Sequence, residues 1–234
     1  MQGFEGLLFY QIQCKSLVAA LTDLPVSVLN SHTHYDHVGG NYQFSSLYGV
    51  ASDYTAANAK GRTNDEVREF VGSGWVWKDM PNGVTVDNYV SRAFEISDVI
   101  ADGEIIDLGG RELKVFHVPG HAPDAVVLID REARLMWTGD SFYPATLYAH
   151  LVGSNVAQYE KSAERMAILG TDVDILLPSH NEPWVSSDYL VAMHRAFIAM
   201  QKQGADYRIS DGDREYGFDG FTIMVNDPAP WEQR

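Results

Sequence analysis

The sequence predicts a mixed α/β fold built in layers, and two observations support this. In the first fifty residues a helix pattern is followed by short apolar runs, which is the alternation typical of layered α/β domains. From residue 104 the pattern changes to paired apolar runs with short turns, and two more helix patterns follow. We expect one domain over residues 1–234, because a chain of this length with 45% hydrophobic residues suffices for one sizeable core.

The first half has one helix pattern and two short strand patterns, at residues 5–21, 26–30 and 48–52. Thr63 and Glu66 have the spacing of a capping box, so a short helix is predicted to open there. The rest of residues 53–98 is predicted as a long connection. Its tryptophans, Trp75 and Trp77, either contact a substrate or simply pack.

The second half is predicted as two hairpins followed by alternating helices and strands. In order, the predicted elements are strands 104–108 and 111–118, strands 125–129 and 134–138, helix 155–169, strand 173–177, helix 187–203 and strand 221–225. Gly109 and Gly110 suit a tight primed turn in the first hairpin. Gly170 follows the first of these helices and is expected to end it.

The composition restricts the partners. There are 17 Lys and Arg against 32 Asp and Glu, for a formal charge of −15, so we expect no nucleic acid and no anionic membrane as partner. The single cysteine, Cys14, excludes an internal disulfide and a multi-cysteine zinc site. No apolar run approaches the length of a membrane span. The N-terminus lacks the pattern of a signal peptide, so a cytoplasmic location is expected.

The most informative stretch is residues 31–40, Ser-His-Thr-His-Tyr-Asp-His-Val-Gly-Gly. Imidazole and carboxylate are the ligands that zinc and similar divalent metals prefer. Side chains two apart on an extended segment point the same way, so His32 and His34 can reach one metal. Asp36 and His37 follow where the chain turns, and can face a second metal. The alternative is a polar loop with surface histidines.

Three later loops carry the same kind of chemistry, each at the end of a predicted strand. They contain His117 and His121, Asp140, and His180. Each of these loops taken alone is more typical of an ordinary turn or cap. Their joint occurrence at neighbouring strand ends predicts that they converge, as ligands do in open α/β sheets.

The order His32-x-His34-x-Asp36-His37, then His121, Asp140 and His180, resembles the metallo-β-lactamase superfamily of metal-dependent hydrolases. The resemblance covers roughly residues 5–205. It implies a four-layer αββα sandwich with the metals at one edge. Members of that superfamily usually begin with a β-hairpin, and none is visible before residue 5. We therefore expect that hairpin to be missing or replaced by residues 221–225. Missing strands would expose a sheet edge, which favours aggregation or pairing with another chain, and a homodimer is one such pairing.

The resemblance also implies a dinuclear site with a hydroxide between two zinc ions, or between iron or manganese ions. His32, His34 and His121 would hold one metal, Asp36, His37 and His180 the other, and Asp140 would bridge them. His121 is preferred to His117 as a ligand because it follows the Pro-Gly turn. The hydroxide would attack a carbonyl or phosphoryl centre, and Asp36 would orient it or pass its proton to the leaving group.

Residues that contact the substrate are expected after Asp140. Tyr148 and His150 are the candidates for catalytic hydrogen-bond donors, with Tyr143 as a further candidate in the same stretch and Asn181 a weaker one. Packing or solvent exposure is the alternative for each. His194 lies in a helix pattern and is expected to be a packing or surface histidine.

The expected function is a dinuclear-metal hydrolase of a small carbonyl substrate, namely a lactone, a thioester, or an amide such as a β-lactam. The alternatives are a mononuclear iron oxygenase of the persulfide dioxygenase type and a non-catalytic metal-binding relative. The complete second ligand set, Asp36, His37 and His180, favours the dinuclear hydrolase.

Overall fold

A computed structural model of the protein describes residues 14–72, 80 and 83–232. These residues fall into two compact units, one within Met1–Ile100 and the other within Ala101–Arg234. A single domain over residues 1–234 stays a prediction. Of the predicted helix 5–21, residues 14–19 are helical, and residues 5–13 lie outside the described part. The expected absence of a hairpin before residue 5, and the positions of Trp75 and Trp77, also lie outside it.

The first unit is built on a small parallel sheet. Its elements are β1 (Val28–Leu29), α1 (Tyr35–Val38), β2 (Leu47–Gly49), α2 (Asp53–Asn58), α3 (Asn64–Val67) and β3 (Asp98–Val99). The three strands form one sheet in the order β1-β2-β3, with both pairs parallel. Val38, Leu47 and Phe94 form a buried core beside this sheet. That core fixes α1 next to the end of β1, and the histidine-rich loop connects the two.

The predicted strands at 26–30 and 48–52 are confirmed with changed bounds: β1 lies within the first range, and β2 begins one residue before the second range and ends at Gly49. The capping box before α3 is also confirmed, because the Glu66 carboxylate accepts a hydrogen bond from the Thr63 N–H at 2.8 Å. The description of 53–98 as one connection was incomplete, since this stretch contains the unpredicted α2 and β3. Ser52 caps α2 by accepting from Thr55 N at 3.0 Å.

The second unit contains two sheets and two long helices. Its elements are β4 (Ile105–Asp107), β5 (Glu112–His117), β6 (Val126–Asp130), β7 (Leu135–Gly139), β8 (Thr146–Tyr148), α4 (Val156–Leu169), β9 (Ile175–Pro178), β10 (Val185–Ser186), α5 (Asp188–Met200), β11 (Arg208–Ser210), β12 (Asp213–Phe218) and β13 (Phe221–Val225). One sheet has the order β10-β9-β7-β6-β5-β4 and the other the order β11-β12-β13-β8. Both predicted hairpins, both helices and the strands at 173–177 and 221–225 are confirmed with small shifts of their ends.

Strand direction in the six-stranded sheet positions the site. β5 is antiparallel to β6, β6 is antiparallel to β7, and β7 is parallel to β9. β5, β7 and β9 therefore run the same way, and their carboxyl ends lie at one edge of the sheet. The two helices pack on each other through Tyr159 and Phe197, whose ring centroids are 4.7 Å apart. Among the described residues, no helix combines the length and hydrophobicity needed to cross a membrane.

Candidate metal centre

In the first unit, asparagine side chains hold the histidine-rich loop in shape. Asn30, directly after β1, donates to the carbonyl of His37 at 2.9 Å, so it ties the start of the loop to α1. Asn41 donates to Asn30 Oδ1 at 2.7 Å. Asn58, the last residue of α2, donates to Thr33 Oγ1 at 3.0 Å. The loop is thus anchored from both of its flanks, which limits the rotation of the imidazoles between them.

The histidines of this loop face one another. His32 Nε2 lies 2.9 Å from His34 Nδ1, and the ring centroids of His32 and His37 are 4.2 Å apart. His32 is buried, and its Nδ1 lies 3.1 Å from Ser31 Oγ. Asp36 Oδ2 lies 3.4 Å from His37 Nε2. The loop therefore presents nitrogen and oxygen ligands of the kind that hold a divalent metal, in the two adjacent pairs expected from the sequence.

In the second unit, His121, Asp140 and His180 meet at the edge where β5, β7 and β9 end. One oxygen of Asp140, Oδ2, lies 3.7 Å from His121 Nε2 and 3.2 Å from His180 Nε2. Asp140 is buried, and the side chain of His180 is 9% exposed. A carboxylate oxygen between two imidazole nitrogens fits a ligand shared by two metal ions. The predicted convergence of these three strand ends is confirmed.

The other ring nitrogen of His121 is already used. Its Nδ1 lies 2.9 Å from the backbone carbonyl of Tyr148, which can only accept, so Nδ1 carries the proton. Nε2, the atom near Asp140, is then the unprotonated nitrogen that a metal requires. This second hydrogen bond is the arrangement that orients most metal-binding histidines.

Helix α4 and the residue two positions before it hold the His121 loop through hydrogen bonds and close packing. Ser154, just before the helix, donates to the His121 carbonyl at 2.7 Å, and Ser162 donates to the Pro119 carbonyl at 2.6 Å. A Cβ on Gly120 would lie 2.3 Å from Tyr159 Cα, so only glycine permits this close approach. The Tyr159 hydroxyl donates to the carbonyls of Asp140 and Ser141 at 3.1 and 3.0 Å. One helix therefore supports two of the three candidate ligands.

A break in strand register directs Asp140 into the site. The pairing of β7 with β9 shifts between Trp137 and Gly139, and Gly139 has a φ of 53°. Thr138 then closes the turn by donating its hydroxyl to the Phe142 carbonyl at 2.8 Å. Such bulges commonly re-aim a side chain beside a functional site.

Tyr148 and His150 lie at the end of β8, next to this group of ligands. The Tyr148 side chain is 37% exposed and its ring packs against that of His150 at 5.5 Å between centroids. Partial burial raises the pKa of Tyr148, and the negative charges of Glu215, Asp140 and Asp211 raise it further. Burial lowers the pKa of His150, against the opposing effects of Asp213 and the Met224 carbonyl. At neutral pH the phenol is therefore protonated and able to donate, whereas the imidazole is mostly neutral.

The remaining residues singled out in the sequence lie elsewhere or are otherwise engaged. Tyr143 is buried, and its hydroxyl donates to the Thr146 carbonyl at 2.5 Å. Its hydroxyl hydrogen is therefore not available for the hydrogen bond to a substrate that was considered from the sequence. Its ring instead packs edge-on against His180 at 5.3 Å. The backbone carbonyl of His117 accepts a hydrogen bond from Arg165 at 2.9 Å. Asn181 is exposed and has a φ of 68°. His194 is half-buried on α5.

Sequence reasoning missed the supporting residues Asn30, Asn58 and Tyr159. None carries a signature that distinguishes it from an ordinary turn or core residue. Their roles depend on contacts with partners 7, 25 and 18–19 residues away along the chain. The glycine at position 120 was the one local sign of a close approach between chain segments. It could not be interpreted without knowing that Tyr159 of α4 packs against it.

Comparison with known proteins gives consistent results. A family model described as the metallo-beta-lactamase superfamily matches residues 25–180, which include all seven predicted metal ligands. The acyl-coenzyme A thioesterase MBLAC2 of Bos taurus is 31% identical over 159 residues, covering 67% of this chain and 56% of that protein. A hydroxyacylglutathione hydrolase of Synechococcus sp. (strain JA-3-3Ab) is 30% identical over 166 residues, covering 70% of this chain and 50% of the relative. The chain spans about half the length of these curated relatives.

A solved structure has a similar fold. The protein TTHA1623 in a di-iron-bound form aligns with a TM-score of 0.52 at 19% identity, covering 76% of this chain and 82% of that one. At this identity the likeness concerns the fold alone, and it agrees with the mixed α/β architecture described above.

Proposed function

This chain belongs to the metallo-beta-lactamase superfamily, and we propose that it is a metal-dependent hydrolase of a small carbonyl substrate, with thioesters as the leading class. The observation that carries the proposal is the position of Asp140 Oδ2, 3.7 Å from His121 Nε2 and 3.2 Å from His180 Nε2. A buried carboxylate in contact with two imidazoles is costly to maintain unless a cation or proton compensates its charge.

The donor set fits two divalent cations. Under the proposal, His32, His34 and His121 hold one cation, Asp36, His37 and His180 hold the second, and Asp140 is shared. Nitrogen and carboxylate ligands suit zinc, and they also suit iron or manganese. When bound, two such cations lower the pKa of a water molecule to near neutrality and polarise the carbonyl group under attack.

The protein's own residues supply the rest of the reaction. Under the proposal, Asp36, whose Oδ2 lies 3.4 Å from His37 Nε2, orients the attacking water and carries its proton to the leaving group. Tyr148 is protonated at neutral pH and can donate a hydrogen bond to the carbonyl oxygen as negative charge develops there. His150 is half-buried, its ring packs against that of Tyr148, and under the proposal it contacts the substrate.

The choice of thioesters rests on the relatives. One relative at 31% identity is named as an acyl-coenzyme A thioesterase, and another at 30% as a hydroxyacylglutathione hydrolase. Both names denote hydrolysis of a thioester. Lactones and amides such as β-lactams remain the competing classes because the same ligand chemistry attacks their carbonyl groups.

The test is to purify the full chain with metal, measure bound metal by elemental mass spectrometry, and assay a panel of thioesters, lactones and β-lactams. We expect two zinc equivalents per chain and turnover of a thioester. Asp36→Asn should lower kcat at least about 100-fold, since a positioned acid–base group contributes that much. Asp219→Asn, the same change at an exposed turn, should have no effect.

Other outcomes would contradict the proposal. One iron per chain without hydrolysis would favour the mononuclear oxygenase. A folded chain that holds metal and hydrolyses nothing would favour the non-catalytic metal-binding relative, and a folded chain that holds no metal would contradict the proposed metal centre. Unchanged turnover in Asp36→Asn would remove the role assigned to that residue.

A further inference from the structure

The face of the four-stranded sheet that carries Tyr148 is rich in polar side chains. Tyr148 on β8, Met224 on β13, Glu215 on β12 and Arg208 on β11 lie in one row across the sheet, because their Cα atoms are register partners. Side chains in one such row point to the same face. Leu147, Ile223 and Tyr216 form the neighbouring row and are buried on the opposite face. Of these two rows, the one that contains Tyr148 carries the polar side chains.

Carboxylates surround Tyr148 and His150 on this face. Asp213, at the start of β12, has its Oδ2 3.8 Å from His150 Nε2, and its side chain is 23% exposed. Asp211 is exposed in the turn that joins β11 to β12, directly before the strand that begins with Asp213. Glu215 also lies in this region, but its charge is compensated by Arg208 at 2.7 Å.

The arginines of this sheet do not neutralise Asp211 and Asp213. Within the described strands β8, β11, β12 and β13, the only Lys or Arg side chains are Arg208 and Arg214. Arg208 is paired with Glu215, and Arg214 pairs with Asp227 and Glu232 at 2.6 Å each. Neither arginine of these four strands is therefore paired with Asp211 or Asp213.

We propose that Asp211 and Asp213 determine substrate specificity: the part of the substrate that lies over Tyr148 and His150 is neutral or cationic, and anionic groups are rejected there. This inference rests on the proposed hydrolase function and narrows it. It separates the protein from its relatives in one respect, since coenzyme A and glutathione, the groups in the names of those relatives, both carry negative charge.

The physical basis is Coulomb repulsion at short range. A substrate anion about 7 Å from one of these carboxylates is disfavoured by about 3-fold even at the dielectric constant of water, and by more at a partly buried site. The attraction of the metal ions acts on the reacting carbonyl of every substrate alike. A remote anion also feels the metal ions and the formal charge of −15, so the effect of Asp211 and Asp213 is isolated by the change in substrate preference when these two carboxylates are replaced.

The experiment uses the metal-loaded full chain and two sets of matched thioesters. The first set varies the thiol, with butyryl esters of thiocholine (cationic), N-acetylcysteamine (neutral) and 3-mercaptopropionate (anionic). The second set varies the acyl group, with the hexanoyl and adipoyl esters of N-acetylcysteamine. The readout is the ratio of kcat/KM between the uncharged and the anionic member of each set. The set with the larger ratio identifies which end of the substrate lies over Tyr148.

We expect the uncharged member to be preferred by about 3-fold or more in at least one set, and this preference to weaken as salt increases, because the carboxylates are partly exposed. The double variant Asp211→Asn with Asp213→Asn should bring that ratio close to one. Asparagine tolerates the positive φ of 54° at position 211, so the turn is kept. Asp219→Asn is the matched control, since it lies at the other end of the β12 strand and should leave the ratio unchanged.

Each remaining outcome has a definite meaning. If anionic and neutral members are hydrolysed equally well, or if the double variant keeps the wild-type ratio, the specificity role of Asp211 and Asp213 is wrong while the hydrolase function stands. If no thioester of either set is hydrolysed, the proposed thioesterase function itself fails, and the inference fails with it.

Discussion

At the scale of single residues, Tyr159 links the core of the second unit to the candidate ligands. Its ring is fully buried between α4 and α5, and its hydroxyl donates to the carbonyls of Asp140 and Ser141. Its backbone lies so close to Gly120 that no other residue fits at that position. Burial raises the pKa of this phenol well above its usual value, so it remains a donor at all working pH values.

Removing this hydroxyl should weaken the turn that presents Asp140. We expect Tyr159→Phe to reduce the free energy of unfolding by about 1–3 kcal/mol, because two carbonyls lose a buried donor. It should also lower metal affinity, since Asp140 would be held less firmly. Urea denaturation of the metal-free protein and metal titration of the folded protein measure the two effects separately.

Tyr207→Phe is the matched control for this substitution. Tyr207 is 45% exposed, so removal of its hydroxyl should change stability by less than about 0.5 kcal/mol. A Tyr159→Phe protein as stable as the Tyr207→Phe protein, with wild-type metal affinity, would show that the hydroxyl has no role in holding Asp140.

At the scale of secondary-structure elements, Asp102 ties β5 to α4. Its carboxylate accepts from the backbone N–H of His117 at 2.8 Å and from Arg165 at 2.9–3.0 Å. Partial burial alone would raise the pKa of Asp102, but the hydrogen bonds from Arg165 and His117 outweigh it and lower the pKa. Since His117 ends the strand that leads to His121, this contact also helps to set the position of a candidate ligand.

The stabilisation from Asp102 should depend on pH. Because its pKa is lower in the folded state, its contribution is fully present above the usual carboxyl pKa of about 4 and is lost as pH falls through the lowered value. We therefore expect Asp102→Asn to lower the urea midpoint at pH 7 and to have a much smaller effect near pH 3. Asp219→Asn should show no such pH-dependent difference. An equal loss at both pH values would mean that packing, rather than charge, explains the effect.

The elements that could be predicted from the sequence are those with a strong local pattern. The helices α4 and α5 have clear periodicity, and the two hairpins have short turns between paired apolar runs. β8 and β11 were missed because three residues carry too little pattern alone, whereas β4, which is equally short, was marked as one arm of a hairpin by Gly109 and Gly110. β12 was missed because two of its buried positions are charged, Arg214 on one face and Glu215 on the other, and their burial depends on partners in another strand and in the tail. Those interactions are long-range and leave no local pattern.

The candidate site was more predictable than the fold around it. Its ligands are chemically distinctive and lie in loops at strand ends, so the pattern survives without knowledge of the packing. Tyr143 was the exception among the substrate candidates: a tyrosine after Asp140 can face either the pocket or the core, and the hydrogen bond to the Thr146 carbonyl favours the core. Only tertiary contacts distinguish these two cases.

At the scale of the whole molecule, acidic charge is the dominant property. The formal charge of −15 and a sequence pI of about 4.7 agree with an excess of carboxylates even at the candidate site. Bound divalent cations would reduce the repulsion between these carboxylates. They would also form bonds to the candidate histidine and aspartate ligands of each unit. A homodimer and a cytoplasmic location stay predictions, since they depend on partners and on the cell rather than on the chain itself.

Metal removal should therefore destabilise the folded protein. A ligand at 100 times its Kd stabilises by about 2.7 kcal/mol, which for a chain of this size corresponds to roughly 5–10 °C in Tm. We expect the Tm of the zinc-loaded protein to fall by about this amount after treatment with a chelator, and to recover when zinc is restored. Asp140→Asn should show a much smaller shift, because it removes the carboxylate charge common to both ligand sets. His194→Ala, which changes a histidine of α5 outside both sets, should keep the full shift. If the chelator removes the metal, as measured by elemental mass spectrometry, and the Tm stays constant, then the candidate ligands do not bind the metal in the folded state, because any ion bound preferentially to that state must stabilise it.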